Sequence, residues 1–189
     1  MQLNPAELTK TPKIKIQRAR LSLKDFNAIL NFINDDNHWL THAMKFALVT
    51  GQRVSDISKM KWQDIHDDKL WITQQKTGAK IAISLKVEII GIKLSTILKI
   101  NKNNSEYIIN DSDKKVSIEK ISKGFAKVRN QTKLLWDGVP PTFHEIRSLS
   151  ARLYTEKMGG EFVRKLLGHK SAEMTAKYQD DRNDSCIEI

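Results

Sequence analysis

A chain of 189 residues, 40% of them hydrophobic, is long enough to bury one core of ordinary size. Its 32 Lys and Arg against 22 Asp and Glu give a net charge of +10, a balance that favours a polyanionic partner such as nucleic acid. The single Cys186 excludes a disulfide framework and a cysteine-based zinc site. No stretch reaches the ~18 apolar residues of a membrane span, and Met1-Gln2-Leu3-Asn4-Pro5 lacks a signal-peptide core, so a cytoplasmic location is expected.

Residues 1–20 read as a basic interdomain linker. Lys10, Lys13, Lys15, Arg18 and Arg20 face the single acid Glu7, and Pro5 and Pro12 interrupt any helical period. Such a segment suits the backbone phosphates of DNA, or serves as a solvated tether to an upstream domain. Residues 21–178 read as one domain, mainly α with a small β-hairpin. Ser22 and Asp25 form a capping box ahead of an apolar stripe at Leu23, Phe26, Ile29, Leu30 and Ile33. A helix over 39–50 is apolar on most faces, hence central, and stops at Gly51. A short helix follows over 55–60.

Leu70-Trp71-Ile72-Thr73 and Lys80-Ile81-Ala82-Ile83 predict a hairpin, with Gly78 in its turn and Lys76 near its tip. Helices are expected over 86–100 and 117–133. Between them lies a polar connection with a short buried run at Tyr107-Ile108-Ile109. Thr142 and Glu145 predict a second capping box, ahead of Phe143, Ile146, Leu149 and Leu153. A helix over 161–167 stops at Gly168, and Ser171 caps a last short helix carrying Met174 and Tyr178. The tail 179–189 turns acidic.

Several polar residues fall at helix ends. His144 and Arg147 lie three apart in the first turns of one helix, where the dipole and backbone N–H groups favour an anion. His169 precedes another helix start, and Arg53 follows the Gly51 stop. Arginine matches phosphate oxygens through planar two-point hydrogen bonds. Two arginines, two histidines, a hairpin lysine and Tyr178 as nucleophile make a set able to hold and cleave a phosphodiester. Each has a plainer reading alone: a salt-bridge arginine, a helix-start histidine, a loop histidine, a packed tyrosine, one lysine among many. The sequence His144-Glu145-Ile146-Arg147-Ser148 fails the His-Glu-x-x-His zinc pattern, because position 148 is serine.

Order and spacing add information. Thr50-Gly51-Gln52-Arg53-Val54-Ser55-Asp56 is followed by Met60-Lys61-Trp62-Gln63-Asp64-Ile65 and by Gln75-Lys76-Thr77-Gly78. Pro140-Pro141-Thr142-Phe143-His144-Glu145-Ile146-Arg147-Ser148-Leu149-Ser150-Ala151-Arg152 comes next, then Leu166-Leu167-Gly168-His169-Lys170-Ser171, with Tyr178 downstream. In these stretches the chain resembles the tyrosine recombinase family, and within it the phage lambda type of integrase, over about residues 10–189.

The resemblance implies the catalytic-domain fold of DNA breaking-rejoining enzymes (α+β), with the upstream DNA-binding domains outside this chain. Arg53, Lys76, His144, Arg147 and His169 match the family's catalytic positions and Tyr178 its nucleophile. Asp56 matches an acidic position that supports the site from behind. The implied reaction is site-specific strand cleavage and rejoining through a 3′-phosphotyrosine, for integration or excision of a phage or other mobile element. It needs no metal and no ATP. The expected partner is double-stranded DNA at attachment core sites, bound by a homotetramer that is a monomer when isolated, in the cytoplasm of the bacterial host. The tail 179–189, with Ile187 and Ile189 flanking Glu188, is expected to dock as a strand in cis or on a neighbouring protomer. Two other readings keep the fold: a type IB topoisomerase that only relaxes DNA, and a catalytically silent DNA-binding module. A third, an RNA-binding protein, fits the charge but not the ordered motifs.

Overall fold

Helix α2 (His38–Thr50) is the axis of the molecule, with ten of its thirteen residues buried, Leu40, Ala43, Met44 and Leu48 completely. A helix apolar on nearly every side must be surrounded. Here α1 (Leu23–Asn31) precedes it, and α3 (Val54–Ile57), α4 (Leu94–Ile100), α5 (Ile118–Gln131) and α6 (Glu145–Met158) pack around it. Helix α7 (Gly160–Leu167) lies against α6. The computed structural model describes residues 18–100 and 104–169, together with 174 and 176.

Local chemistry sets several boundaries as the sequence predicts. Ser22 Oγ accepts from the Asp25 N–H at 3.1 Å and donates to the Asp25 carboxylate at 2.6 Å, so the first capping box forms. A cap of this kind is worth about 1 kcal/mol. Gly51 ends α2 and Gly168 ends α7, both in the left-handed region at φ 65°. The hairpin strands β2 (Lys69–Thr73) and β3 (Lys80–Ser84) pair antiparallel, with Trp71 opposite Ala82. A short strand β1 (Ile65–His66) extends them to a three-stranded sheet. Leu70, Ile72 and Ile83 point into the core, and Trp71 points out.

Three expectations are corrected. Residues 86–100 are not one helix: β4 (Glu88–Ile89) and β5 (Ile92–Lys93) form a small hairpin, and α4 starts only at Leu94. Ile90 and Gly91 both take positive φ, 47° and 78°, which is the geometry of a tight two-residue hairpin turn. The run is rich in β-branched residues and Gly91 interrupts it, so strand pairing wins over the helix. The same turn recurs at Asp67-Asp68, between β1 and β2. It recurs again at Ser112-Asp113, between β6 (Asn110–Asp111) and β7 (Lys114–Lys115) in the polar connection. Within that connection Ile108 and Ile109 are buried, while Tyr107 is half-buried.

The second correction concerns α6. Thr142 does not cap it with its side chain. Its backbone carbonyl takes the Glu145 N–H at 2.9 Å, the regular helix starts at Glu145, and His144 occupies the boundary without a side-chain cap. The Glu145 carboxylate faces Arg20 Nη1 at 3.4 Å instead. The short helix expected over 55–60 is confined to α3.

The described end of the linker is stitched to the domain. Arg18 bridges to Val139, Ala19 N–H donates to the Val139 carbonyl at 2.9 Å, and Arg152 Nη2 donates to the Leu21 carbonyl at 2.7 Å. Lys10, Lys13, Lys15, the Ser171 cap, Tyr178 and the tail 179–189 lie outside the described residues. Among the described residues, no helix is long and apolar enough to cross a membrane.

Candidate active site

Three chain turns converge at one end of α2. The first runs from Gly51 to α3. Its left-handed glycine lets the backbone turn where a Cβ would meet Leu167 Cδ2 at 3.0 Å and Ser150 Oγ at 3.2 Å. The turn presents Arg53, half-buried, at the extended N-terminal boundary of α3. The second is the first turn of α6, which carries His144 and Arg147. The third is the Gly168 stop of α7, which delivers His169.

Arg147 is 1% exposed. Its Nη1 donates to the Gly51 carbonyl at 2.6 Å and its Nη2 to the Leu167 carbonyl at 2.8 Å. Nη2 also lies 3.1 Å from His169 Nε2. A guanidinium can only donate, so Nε2 is the accepting nitrogen and the neutral imidazole carries its proton on Nδ1. Burial, followed by the charges of Arg147 and Arg53, lowers the His169 pKa to about 4 and keeps the ring neutral at pH 7. Neutral carbonyl acceptors orient Arg147 without cancelling its charge.

His144 stands at the rim and stays exposed. Desolvation by the surrounding protein, then Arg147, Arg53, Lys76 and Arg18, lower its pKa to about 4. Arg147, Arg53, Lys76 and Arg18 thus lie within electrostatic reach of the His144 ring.

Lys76 is exposed in the β2–β3 turn. The turn is pinned at its base: Gln74 N–H donates to the Ala79 carbonyl at 2.9 Å and Gly78 N–H to the Gln74 carbonyl at 2.8 Å. Asp56, 5% exposed, accepts the Gln75 N–H on Oδ1 at 2.9 Å, immediately beside Lys76. Its Oδ2 has no hydrogen-bond partner among the described residues. Asp56 thus holds the hairpin from behind the cations.

The sequence reading missed two residues. Gln52 and Gln74 are each 1% exposed and hydrogen-bonded to one another at 2.7 Å. Gln52 Nε2 also donates to the Thr50 and Leu166 carbonyls at 2.9 and 2.8 Å. The available signal was the two-residue period of β2, which carries the inward face from Leu70 and Ile72 on to Gln74.

Of the linker cations, Arg18 is exposed and near His144, while Arg20 is largely buried against Glu145. Among the described residues, no three His, Cys, Asp or Glu side chains are grouped to hold a metal ion. The arrangement can grip a tetrahedral anion with Arg53 and Arg147, beside two neutral imidazoles and one lysine on the hairpin turn.

Comparison with known proteins identifies the lineage. The chain is 45% identical to the integrase of Escherichia phage HK022 and 40% identical to that of Escherichia phage lambda, each over 184 residues. Those alignments cover 95% of this chain and 52% of either relative, so the chain spans about half their length. A solved lambda integrase dimer bound to a COC′ core site superposes with a TM-score of 0.91 at 40% identity, over 99% of this chain and 55% of that one. A lambda integrase tetramer bound to a Holliday junction superposes with a TM-score of 0.90 at 38% identity, over 100% of this chain and 56% of that one. Residues 19–184 match the model of the phage integrase family, and the chain belongs to that family.

Proposed function

We propose that this chain is the catalytic domain of a site-specific DNA recombinase. It cleaves and rejoins strands at attachment core sites during integration or excision of a mobile element. The observation that carries the reading is the convergence of Arg53, Arg147 and His169, with His144 and Lys76 close enough for their charges to interact.

The Tyr178 phenolic oxygen attacks phosphorus, and the bond from phosphorus to the 5′ oxygen breaks. The product is a 3′-phosphotyrosine and a free 5′-hydroxyl. Charge building on the non-bridging oxygens is met by Arg53 and Arg147, already oriented and desolvated. The proton for the 5′ oxygen comes from Lys76, which the β2–β3 turn carries as an exposed ammonium donor. The phenolic proton passes to His144, whose imidazole is neutral at pH 7 and gains proton affinity once the DNA phosphate offsets the surrounding cations. Two fixed guanidinium charges and a lysine supply what a metal ion supplies in other phosphoryl-transfer sites, so the reaction runs without one. The phosphotyrosine keeps the energy of the broken bond, and a 5′-hydroxyl reverses the step without ATP.

Arg18 contributes to backbone-phosphate binding, with Lys10, Lys13 and Lys15 upstream, and affinity falls with salt. The lambda integrase tetramer bound to a Holliday junction supports a homotetramer on DNA. The test is relaxation of supercoiled plasmid in EDTA, quenched with SDS, followed by a nicked core-site substrate at low salt. A covalent protein–DNA adduct is expected, lost in Tyr178→Phe. An adduct that persists in Tyr178→Phe, or none on either substrate, refutes the reading.

A further inference from the structure

Gln74 joins the Arg53 turn, the end of α7 and the Lys76 turn. Its amide has two N–H donors and an oxygen with two lone pairs, and all four are used. Nε2 donates to Gln52 Oε1 at 2.7 Å and to the Leu167 carbonyl at 2.9 Å. Oε1 accepts from Arg53 Nη1 at 3.0 Å and from Thr77 Oγ1 at 2.7 Å. The amide cannot be turned over, because Arg53 only donates and the Leu167 carbonyl only accepts. The same carbonyl holds Arg147, and Thr77 is the neighbour of Lys76. Gly168 brings α7 close enough for these bonds: a Cβ there would stand 3.1 Å from Gln74 Oε1.

Resting on the recombinase reading, we infer that Gln74 is a positioning residue for strand cleavage. It sets the direction of the Arg53 guanidinium and locks it to the Lys76 turn and to the carbonyl that holds Arg147. Arg53 is half-buried, and without this acceptor its long side chain samples orientations that miss the phosphate. The hydrogen bond from Thr77 makes the lock shared, so displacing the Lys76 turn also releases Arg53.

The first measurement is made on the protein without DNA. Side-chain nitrogen NMR of Arg53 is compared between the wild-type chain and Gln74→Met, which matches the length and removes every hydrogen bond. Faster guanidinium rotation in the variant is expected, and unchanged motion overturns the inference whatever the chain does to DNA. The second is single-turnover cleavage of the nicked core-site substrate. Gln74→Met is expected to slow adduct formation about 100-fold, the scale of a misplaced catalytic group, with DNA affinity within about twofold. The double variant Arg53→Ala with Gln74→Met is expected to be no slower than Arg53→Ala alone, because Gln74 acts through Arg53. Additive losses identify general destabilisation and overturn the inference. If Gln74→Met does not fold, the shorter Gln74→Asn withdraws the oxygen from Arg53 and is read by the same criteria. A wild-type chain that never forms the adduct refutes the recombinase reading, while the NMR comparison still decides the Gln74–Arg53 lock.

Discussion

Gly168→Ala tests how tightly the hairpin is pressed on the end of α7. Two effects combine. Gly168 has φ +65°, and the left-handed conformation costs an alanine about 1 kcal/mol. The new Cβ would also stand 2.8 Å from Ile81 Cδ1, 3.1 Å from Gln74 Oε1 and 3.2 Å from Ala79 Cβ. The Ile81 methyl can swing away. The Gln74 oxygen is held by two hydrogen bonds, and the Ala79 Cβ moves only with its backbone, so overpacking adds a further 1–2 kcal/mol or so. The matched control is Gly78→Ala, with φ +66° and nothing within 4 Å of the added Cβ, which carries the conformational cost alone. Urea unfolding should show Gly168→Ala destabilised by about 2–3 kcal/mol and Gly78→Ala by about 1 kcal/mol. At roughly 2–4 °C per kcal/mol for a domain of this size, their melting temperatures separate by several degrees. Equal losses would mean that α7 and the hairpin yield freely to one another, and would refute the close-packed reading of this junction.

Two further outcomes follow from the geometry. His169 has a folded pKa near 4 against an ordinary value of 6.5, so between those values the unfolded chain binds the proton more readily. Stability is full above about pH 6.5 and falls as the pH drops toward 4, by something of the order of 2–3 kcal/mol. Urea titrations at pH 7 and pH 4.5 should show the loss, and His169→Gln should shrink it, the remainder belonging to His144, whose pKa is lowered in the same direction; an unchanged acid slope in that variant contradicts the assignment. Ile90 has φ 47° and is exposed, so Ile90→Asn, which creates an Asn-Gly turn, should stabilise the chain by about 1 kcal/mol in the same assay. Destabilisation there would show that the Ile90 side chain contributes more to packing than its exposure implies.

Much of the architecture was legible because its punctuation is chemical. Gly51 and Gly168 mark real stops, Ser22 and Asp25 a real cap, and the all-round apolarity of 39–50 a real central helix. Arg53, Lys76, His144, Arg147 and His169 stand in separate stretches of the sequence, and the fold gathers Arg53, Arg147 and His169 around the end of α7. What failed were choices settled by distant partners. Glu145 fits a local capping box, but Arg20, 125 residues earlier, takes its carboxylate. Residues 86–100 carry an apolar pattern that serves helix or strand, and Ile90-Gly91 decides it by turning. Gln52 and Gln74 were passed over because nothing within either local stretch reveals that each is the other's partner.

The carbonyls of Gly51 and Leu167 bear on how such a site tolerates change. Arg147 is aimed by main-chain oxygens, and every residue type that could occupy those positions would still supply them. Drift in the side chains of α7 therefore leaves the guanidinium seat intact as long as the backbone keeps its path. Sensitivity is pushed on to a few places: the arginine itself, the glycines that bend the chain, and the amides that join one turn to another. An arginine seat of this construction can be carried through extensive divergence of its surroundings, and it fails abruptly when the chain path shifts.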